Sequence, residues 1–445
     1  MGVDRMDFDL IVIGAGLAGL SAAARAAEAG LRVAVIEAAR THGGSSAISG
    51  AYLWTVESPH KIAYHAEGQP GLAELVADGY AEGVRWLRGR GVAFSRALNP
   101  LNGRGYQIDM LGHLAACIRT VEQAGGSIAY ETRVVRLVAD GSGRVVGAAT
   151  SHADGDVELR APWTLLATGG YQGSPDMREA YLGPNGRHML LRSNLVSDGA
   201  GIRLATAAGA AAPVGNTGFY GHLVSESPQW GDRSLFGRLS QYHSDHSVLI
   251  NTLGRRFTDE TLGDHVNAHR TLQQPGGRAL MVTDSVIHGA HGVRPVVELA
   301  PAEDRMAVAL QHGGVGAIVD SLEEVWRFAA GAGFDGGQAL RTLRAYNETA
   351  RDGWEQLDPP RTLCEHQPLD TAPFYALVVH PAITFSFAGV RVDDRMRALD
   401  SRGQAVGGLL VAGADVGDLY CIGYGGGLAA ALATGLRAAA TLLTA

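Results

Sequence analysis

The residues Gly14–Gly19 have the G-x-G-x-x-G spacing that lets backbone approach a phosphate closely. They follow the short β-branched run Asp9–Ile13, open an alanine-rich segment and precede a second apolar run, Leu31–Ile36, which Glu37 follows. The first glycine permits a tight turn, the second admits a pyrophosphate, and the third lets a helix pack against a strand. The Glu37 carboxylate would bind ribose hydroxyls and repel a 2′-phosphate. The pattern predicts a dinucleotide-binding β-α-β unit, and by itself it does not separate NAD from FAD.

A second glycine- and serine-rich loop follows at Thr41–Gly50 (T-H-G-G-S-S-A-I-S-G). It resembles a segment of the fumarate reductase/succinate dehydrogenase flavoprotein family. Three further segments match that family in order: Ala167–Gly170, Asn251–Glu260 and Gly408–Gly427. The resemblance covers nearly the whole chain. It implies FAD as the cofactor and an α/β fold, in which a discontinuous, Rossmann-like FAD-binding domain carries an inserted α+β capping domain.

The resemblance also implies how FAD is bound. Asp415 is expected to bind ribityl hydroxyls, the backbone of Gly426 and Gly427 to face the flavin C2 carbonyl at a helix start, and the backbone of Val134 to hold the adenine. Some members attach FAD through a histidine near the second loop, but the sequence around His42 matches theirs poorly, so we expect non-covalent binding. The expected FAD-binding residues are Gly14, Gly16, Leu17, Ala18, Gly19, Glu37, Ala38, Gly43, Gly44, Ser45, Ser46, Val134, Ala167, Thr168, Gly169, Asp198, Gly413, Asp415, Gly426, Gly427 and Leu428.

Three positions differ from the branch of the family that handles dicarboxylates. Such substrates need fixed cations, chiefly arginine forks that bind a carboxylate with two parallel hydrogen bonds. Tyr424 stands where that branch has its C-terminal arginine, and Thr384 stands where it has a histidine. Its proton-donating arginine should fall near Gly263–His265, where there is no arginine. Succinate and fumarate are therefore poor candidate substrates.

A tyrosine at position 424 resembles the 3-ketosteroid dehydrogenase and tricarballylate dehydrogenase branches, although the proline that follows it there is absent here. In the ketosteroid branch this tyrosine and a glycine amide polarise the substrate carbonyl. A neutral phenol and a backbone N–H can stabilise enolate charge as an oxyanion hole. Hydride then leaves the β-carbon for flavin N5. The alternative is that Tyr424 only packs against the flavin ring.

The reaction also needs a base. The candidates in the expected cap and at its return to the core are Tyr220, His222, Tyr242, His243 and His380. Histidine has a pKa near neutral pH, whereas a tyrosine base must be perturbed or act through a relay. Each of these histidines could equally be structural.

These residues predict an FAD-dependent dehydrogenase that desaturates, or in reverse reduces, a carbon–carbon bond next to a carbonyl, with a neutral ketone or enone as substrate. One alternative is a carboxylate dehydrogenase of the tricarballylate type, with Arg192, Arg238 or Arg255 pairing the acid. Others are a flavin oxidase or hydroxylase that uses O2, and a flavoprotein subunit that docks an electron-transfer partner. His243-x-x-His246 lacks an evident third ligand, so no metal is expected.

Other segments define the elements that must position these residues. Gly141–Gly143 joins two β-branched runs as a hairpin would, Leu340–Ala350 has a helical pattern, and Gly389–Val392 and Gly408–Ala412 read as returning strands. The predicted domains are an FAD-binding domain over 1–211 and 362–445 and a capping domain over 212–361.

Composition excludes several function classes. The 61 glycines among 445 residues are roughly twice the usual share of about 7%, without a collagen period. The formal charge of −8, without a basic run, argues against nucleic acid as a partner. The longest apolar runs are too short to cross a membrane, and the N-terminal residues lack a basic secretion signal, so we expect a cytoplasmic enzyme. The expected partners are a small-molecule substrate and an electron acceptor that the sequence does not identify.

Overall fold

A computed structural model describes residues 7–56, 71–99, 103–213, 218–295, 300–353, 356–363, 368–420 and 424–444. The strands are β1 (Leu10–Ile13), β2 (Val33–Ile36), β3 (Tyr52–Thr55), β4 (Arg104–Gln107), β5 (Ser127–Ala129), β6 (Arg133–Ala139), β7 (Val145–Ser151), β8 (Val157–Arg160), β9 (Trp163–Leu166), β10 (Leu190–Leu191), β11 (Phe219–Ser225), β12 (Val248–Ile250), β13 (Ala279–Thr283), β14 (Gly316–Val319), β15 (Phe374–Ser386), β16 (Arg397–Leu399) and β17 (Ala405–Val411). The helices are α1 (Leu17–Glu28), α2 (Gly44–Ala47), α3 (Leu72–Gly89), α4 (Met110–Gln123), α5 (Pro175–Leu182), α6 (Ala200–Ala207), α7 (Leu235–Arg238), α8 (Asp264–Leu272), α9 (Ser285–Ile287), α10 (Arg305–Gln311), α11 (Leu322–Gly331), α12 (Gly336–Asp352) and α13 (Gly427–Leu443).

A six-stranded sheet with the order β16-β17-β9-β1-β2-β5 forms the centre of the first of two compact units. All pairs in it are parallel except β16 with β17. Strands β1 and β2 are buried along their whole length, as expected for a parallel sheet covered on both faces. This is the Rossmann-like arrangement that the β-α-β pattern predicts.

Helices α1 and α13 pack closely because both are rich in alanine and glycine. A Cβ on Gly435 would lie 2.4 Å from the carbonyl oxygen of Ala18, so only glycine permits this approach. The contact connects the C-terminal segment to the helix that follows the first glycine loop. The first unit is therefore built from both ends of the chain.

The first unit also holds an antiparallel sheet, β6-β7-β8, and an antiparallel pair, β3-β4. The hairpin predicted around Gly141–Gly143 is confirmed as β6 and β7. The predicted strand over 389–392 is wrong, because Val390 and Val392 form only isolated bridges, to Val416 and Ala398. A Cβ on Gly389 would lie 2.5 Å from the Asp415 carbonyl oxygen, which shows how closely two irregular segments approach there.

The second unit has its own sheet, in which β15 pairs with β10, β11, β13 and β14, and β13 pairs with β12. This sheet is mostly antiparallel, and the unit also contains helices such as α11 and α12. The second unit therefore has an α+β arrangement. The first compact unit consists of residues 1–177, 193–219 and 385–445. The second consists of residues 178–192 and 220–384. These bounds differ from 212–361 because β15 belongs to the second sheet. Among the described residues, no helix is long and apolar enough to span a membrane.

Candidate active site

The first glycine loop has the geometry that a bound pyrophosphate requires. A Cβ on Gly14, whose φ is +109°, would lie 2.2 Å from the Ala167 carbonyl oxygen, and one on Gly19 would lie 2.0 Å from the Gly14 carbonyl oxygen. Beside Gly16, in contrast, the nearest atom to such a Cβ is 4.0 Å away. Helix α1 begins next to Gly16 with neither a side-chain cap nor an acidic residue in its first turn. Unshielded N–H groups at a helix start bind phosphate, so these residues fit FAD.

The second loop lies against the first. The Gly43 N–H donates to the Ala15 carbonyl oxygen at 2.7 Å, and the Leu17 N–H donates to Ser46 Oγ at 3.4 Å. Gly43 has a φ of +106°, which favours glycine. Ser45 Oγ accepts a hydrogen bond from Asn194 at 2.7 Å. The structure thus brings together two sets of residues that the sequence assigns to the same cofactor.

Glu37 is buried and oriented by backbone amides on both sides. Its Oε2 accepts from the Ala15 N–H at 2.8 Å and its Oε1 from the Ala39 N–H at 2.7 Å. Each carboxylate oxygen keeps a further acceptor position. The ribose contact of Glu37 and the neighbouring Ala38 stays a prediction. His42 Nδ1 lies 3.0 Å from the Tyr130 hydroxyl.

Asp415 organises the loop after β9. The buried carboxylate accepts from the Thr168 N–H at 2.5 Å, the Thr168 hydroxyl at 3.0 Å and the Gly170 N–H at 2.9 Å. Burial raises the pKa of Asp415, and these hydrogen bonds oppose the rise. The carboxylate therefore holds together two segments that are expected to bind FAD, and its own contact with ribityl hydroxyls stays a prediction. In the same segment, a Cβ on Gly413 would lie 3.0 Å from the Ala18 Cβ.

Two other expected FAD-binding residues have different surroundings. Asp198 forms ion pairs with Arg133 at 3.2 Å and Arg203 at 3.0 Å. Val134 pairs with Thr150 in the antiparallel sheet. Their contacts with FAD stay predictions.

Tyr424 lies in a cluster of aromatic rings at the start of α13. The centroid of its ring is 5.4 Å from Trp54, 5.6 Å from Tyr420 and 5.7 Å from Phe385. Its hydroxyl oxygen accepts from the Gly427 N–H at 2.7 Å. The resemblance predicts that the Gly427 N–H faces the flavin. In the structure this N–H instead donates to the Tyr424 hydroxyl, whose oxygen occupies the position of a helix N-cap acceptor. Leu428 follows in the first turn of α13.

In the second unit, a histidine–carboxylate pair connects β11 to the first residue of α8. His222 Nδ1 is hydrogen-bonded to Asp264 Oδ2, and the two residues are 1% and 6% exposed. Burial lowers the pKa of His222, the charge of Asp264 raises it and that of Arg192 lowers it, with a net fall. A carboxylate only accepts, so Nδ1 carries the proton and Nε2 holds the lone pair.

Three of the base candidates are brought together. The His222 ring centroid lies 5.0 Å from Tyr220 and 4.7 Å from Tyr242. His243 is buried, and its Nδ1 has no hydrogen-bond partner in the described part of the chain. Burial, followed by the charge of Arg305, lowers the pKa of His243 to about 3, so it is neutral near pH 7. His380 instead lies 3.4 Å from a Glu226 carboxylate oxygen.

Two functional candidates were missed by sequence reasoning. Asp264 lies within Gly263–His265, where only an arginine was sought, and an acidic residue there was the available signal. Arg305 is buried, with its guanidinium 5.0 Å from the Tyr242 ring centroid. Of the arginines considered for an acid, Arg192 donates to the Tyr242 hydroxyl at 2.8 Å, whereas Arg238 is paired with Glu303 at 2.8 Å and Arg255 is exposed.

Comparison with known proteins identifies the family. The family described as FAD binding domain matches residues 9–430. The chain belongs to this FAD-binding family. Its predicted cofactor, FAD, and its predicted fold class are confirmed. The chain is an FAD-dependent oxidoreductase of the class that acts on carbon–carbon bonds.

Several members of this FAD-binding family are similar along most of the chain. A fumarate reductase (cytochrome) of Shewanella frigidimarina is 24% identical over 448 residues, which cover 93% of this chain and 72% of that protein. The 4-oxocyclohexanecarboxylate 2-dehydrogenase of Sinomonas cyclohexanicum is 25% identical over 533 residues, with 96% of this chain and 90% of that protein covered. The structure of the 3-ketosteroid-Δ4-(5α)-dehydrogenase of Rhodococcus jostii RHA1 matches with a TM-score of 0.75 at 21% identity, covering 99% of this chain and 98% of that one. The predicted resemblance to this flavoprotein family is confirmed.

Replacing Gly16 with valine tests the glycine loop. The φ of Gly16 is −81°, and the space beside it is open, so the chain should fold with the new side chain. The side chain would fill the approach to the pyrophosphate, at a cost of about 1–3 kcal/mol, or roughly 5- to 150-fold in FAD affinity. Bound flavin is measured by absorbance after gel filtration. Gly89→Ala, at an exposed position with open space, is the matched control and should retain its FAD; equal retention by both variants would contradict the assignment.

Proposed function

We propose that the chain oxidises a saturated carbon–carbon bond next to a carbonyl to a conjugated double bond, or catalyses the reverse reduction. The observation that carries this proposal is the hydroxyl of Tyr424, which accepts the Gly427 N–H at the start of α13. A neutral phenol in this position suits a carbonyl oxygen that gains charge during the reaction.

The surroundings of Tyr424 support an oxyanion role. The N–H that its oxygen accepts belongs to the first residue of a helix, where the helix dipole is positive. Accepting such a hydrogen bond polarises the phenol and strengthens its own O–H as a donor. Three aromatic rings, from Trp54, Phe385 and Tyr420, fix the plane of the side chain. A fixed donor needs little reorganisation when an enolate forms.

The pair His222 and Asp264 is the proposed acid–base group. The imidazole is neutral near pH 7 because burial lowers its pKa. Its Nε2 can therefore take the proton from the substrate α-carbon and return it in the reverse reaction. Asp264 holds the ring orientation and stabilises the imidazolium that forms. Tyr220 and Tyr242 flank the ring and restrict its position.

The α-proton goes to His222, the β-carbon loses a hydride, and a double bond forms between the two carbons. FAD, when bound, accepts this hydride at N5 and thus takes up the two electrons. Tyr424 donates to the carbonyl oxygen while it carries enolate charge.

Two relatives support the choice of a carbonyl compound. One bears the name 4-oxocyclohexanecarboxylate 2-dehydrogenase, and the 3-ketosteroid dehydrogenase has the same fold as this chain. Each name refers to a compound with a ketone group. Tyr424 provides the independent support from this chain's own residues.

Anaerobic mixing of the holoenzyme with saturated ketones tests the proposal. We expect the flavin to lose its oxidised absorbance without oxygen, and mass spectrometry to find a product two hydrogens lighter. Cyclohexanone and 4-oxocyclohexanecarboxylate are suitable first substrates, with the corresponding alcohols as controls. A strict need for O2, with its oxygen atoms found in the product, would contradict the proposal and favour a hydroxylase.

A further inference from the structure

Two histidine rings of the second unit are stacked on each other. His246 ends a short 3₁₀ helix, Ser244–His246, and His291 lies in a π-helical turn, His288–Gly292. The imidazole rings are nearly parallel, with an interplanar angle of 17° and centroids 3.5 Å apart. Turns of this kind are rare and are frequent at functional sites. The stack thus joins two short elements that are distant along the chain.

The charge of the two rings decides whether the stack is stable. Neutral imidazoles can stack at this distance, whereas two imidazolium ions at the same distance repel each other. One carboxylate lies nearby, since an oxygen of Asp245 is 3.7 Å from His246 Nε2. The titratable and charged groups that face the pair are Asp245, His243, Arg294 and Arg361. Cations therefore surround the pair on several sides.

Burial lowers the pKa of both rings, and most of the surrounding charges act in the same direction. For His246, the charges of Arg361 and Arg294 lower it further. For His291, the charge of His246 lowers it and that of Asp245 raises it. Separated rings therefore bind protons more tightly than stacked rings. The stack keeps its full stability above the ordinary histidine pKa of about 6.5 and loses it as pH falls through that value towards the lowered pKa.

Asp245 can offset one proton on the pair but not two. Burial, followed by the charge of Asp264, raises the pKa of Asp245 to about 6. Asp245 therefore takes up its own proton in the range in which the rings titrate, and its negative charge is then lost. A proton on this buried carboxyl group by itself favours the folded state, so any opening in acid comes from the histidines.

The π-helical turn is the side of the contact that is expected to move. The buried Arg361 donates to the carbonyl oxygens of Asp245, at 2.7 Å, and Ser247, at 2.8 Å, and so fixes the backbone on both sides of His246. The π-helical turn lies at the surface, where Gly289 is exposed. Loss of the stack should therefore displace the turn first.

The stack also supports residues next to the proposed base. Tyr242, which flanks the base, lies four residues before His246 in the chain. Ser244 Oγ accepts a hydrogen bond from Asn267 at 3.1 Å, and Asn267 belongs to α8, whose first residue is paired with the base. A change at the stack therefore alters the support of the acid–base group.

We infer that His246 and His291 form a proton-sensitive latch, which holds the π-helical turn against the 3₁₀ helix near neutral pH and opens when both rings are protonated. Opening loosens the support of Tyr242 and lowers activity reversibly in acid, by a route separate from protonation of the base itself. The latch works in the same way whatever substrate the chain uses, so this inference goes beyond the proposed function.

Hydrogen exchange of the oxidised holoenzyme, followed by mass spectrometry of its peptides, tests the latch without turnover. After correction for the direct effect of pH on exchange, we expect the opening constant of the π-helical turn to rise about 10- to 100-fold between about pH 7.5 and about pH 5.5. His291→Phe keeps a flat ring for stacking and removes one charge, so the rise should shrink to a few-fold. His188→Phe, which makes the same change at an exposed position, should behave as the wild type does.

Titration of the histidine ring protons by NMR gives a second test, which holds even if His291→Phe does not fold. Removing the neighbouring charge in His246→Phe should raise the pKa of His291, and His188→Phe should leave it unchanged. Opening of the wild-type turn that does not change with pH would overturn the inference, as would a rise in His291→Phe equal to that of the wild type. An unchanged pKa of His291 in His246→Phe would do the same. Failure of the proposed desaturation is a separate result, because neither measurement involves a substrate.

Discussion

Replacing Tyr424 with phenylalanine is expected to lower the rate of flavin reduction by about 10²–10³-fold. The substitution removes the one donor proposed to stabilise enolate oxygen and keeps the ring that packs against Trp54, Phe385 and Tyr420. The Gly427 N–H loses its acceptor at the start of α13, so a small fall in thermal stability is also expected. Stopped-flow absorbance of the anaerobic holoenzyme measures the rate of reduction separately from product release.

Tyr80→Phe is the matched control for this experiment. It makes the same chemical change in the first unit, where the Tyr80 hydroxyl donates to the Leu53 carbonyl oxygen at 3.1 Å. We expect a modest loss of stability and an unchanged rate. A Tyr424→Phe enzyme as fast as the control would eliminate the oxyanion role and leave Tyr424 with the packing role that was its alternative.

The histidine–carboxylate pair is expected to give an equally large effect. His222→Gln should lower flavin reduction by about 10²–10⁴-fold, because general acid–base catalysis contributes that much. Asp264→Asn should be slower than the wild type, because the ring loses the carboxylate that orients it. Circular dichroism and flavin content verify that both variants fold and hold FAD.

The pH dependence distinguishes this pair from a structural one. Only neutral His222 can accept a proton, so kcat/KM should fall as pH drops through the pKa of His222. The charge of Asp264 raises that pKa, so Asp264→Asn should lower it and move the acid limb to lower pH. His222→Gln should abolish the limb. If His380→Gln removes the limb and Asp264→Asn leaves it in place, His380 is the base and the pair is structural.

Local patterns were sufficient to predict the first unit. The β-α-β unit, the hairpin of β6 and β7 and the helix after Gly425 each depend on contiguous residues with a regular spacing. The glycine loops were also predictable, because Gly14 and Gly43 combine positive φ values with close contacts that strongly disfavour any residue with a Cβ.

The proposed acid–base pair could not be predicted in the same way. His222 and Asp264 are 42 residues apart, and their contact depends on how β11 and α8 fold together. The three hydrogen bonds of Asp415 to Thr168 and Gly170 join segments still more distant along the chain, which local pattern does not reveal. The second unit extends past position 361 because β15 pairs with β13 and β14, and such pairing between distant segments leaves no local pattern in the sequence.

Isotopic substitution of the substrate tests the central claim most directly. Anaerobic single-turnover reduction of the holoenzyme is measured with 4-oxocyclohexanecarboxylate that carries deuterium at the β-carbons, at the α-carbons or nowhere. We predict that β-deuterium slows flavin reduction, because hydride leaves that carbon, and that the product is the conjugated enone. Two results would contradict desaturation next to a carbonyl. One is rapid flavin reduction whose rate does not change with β-deuterium. The other is reduction by alcohols alone, at a rate that falls when the carbon that bears the hydroxyl is deuterated.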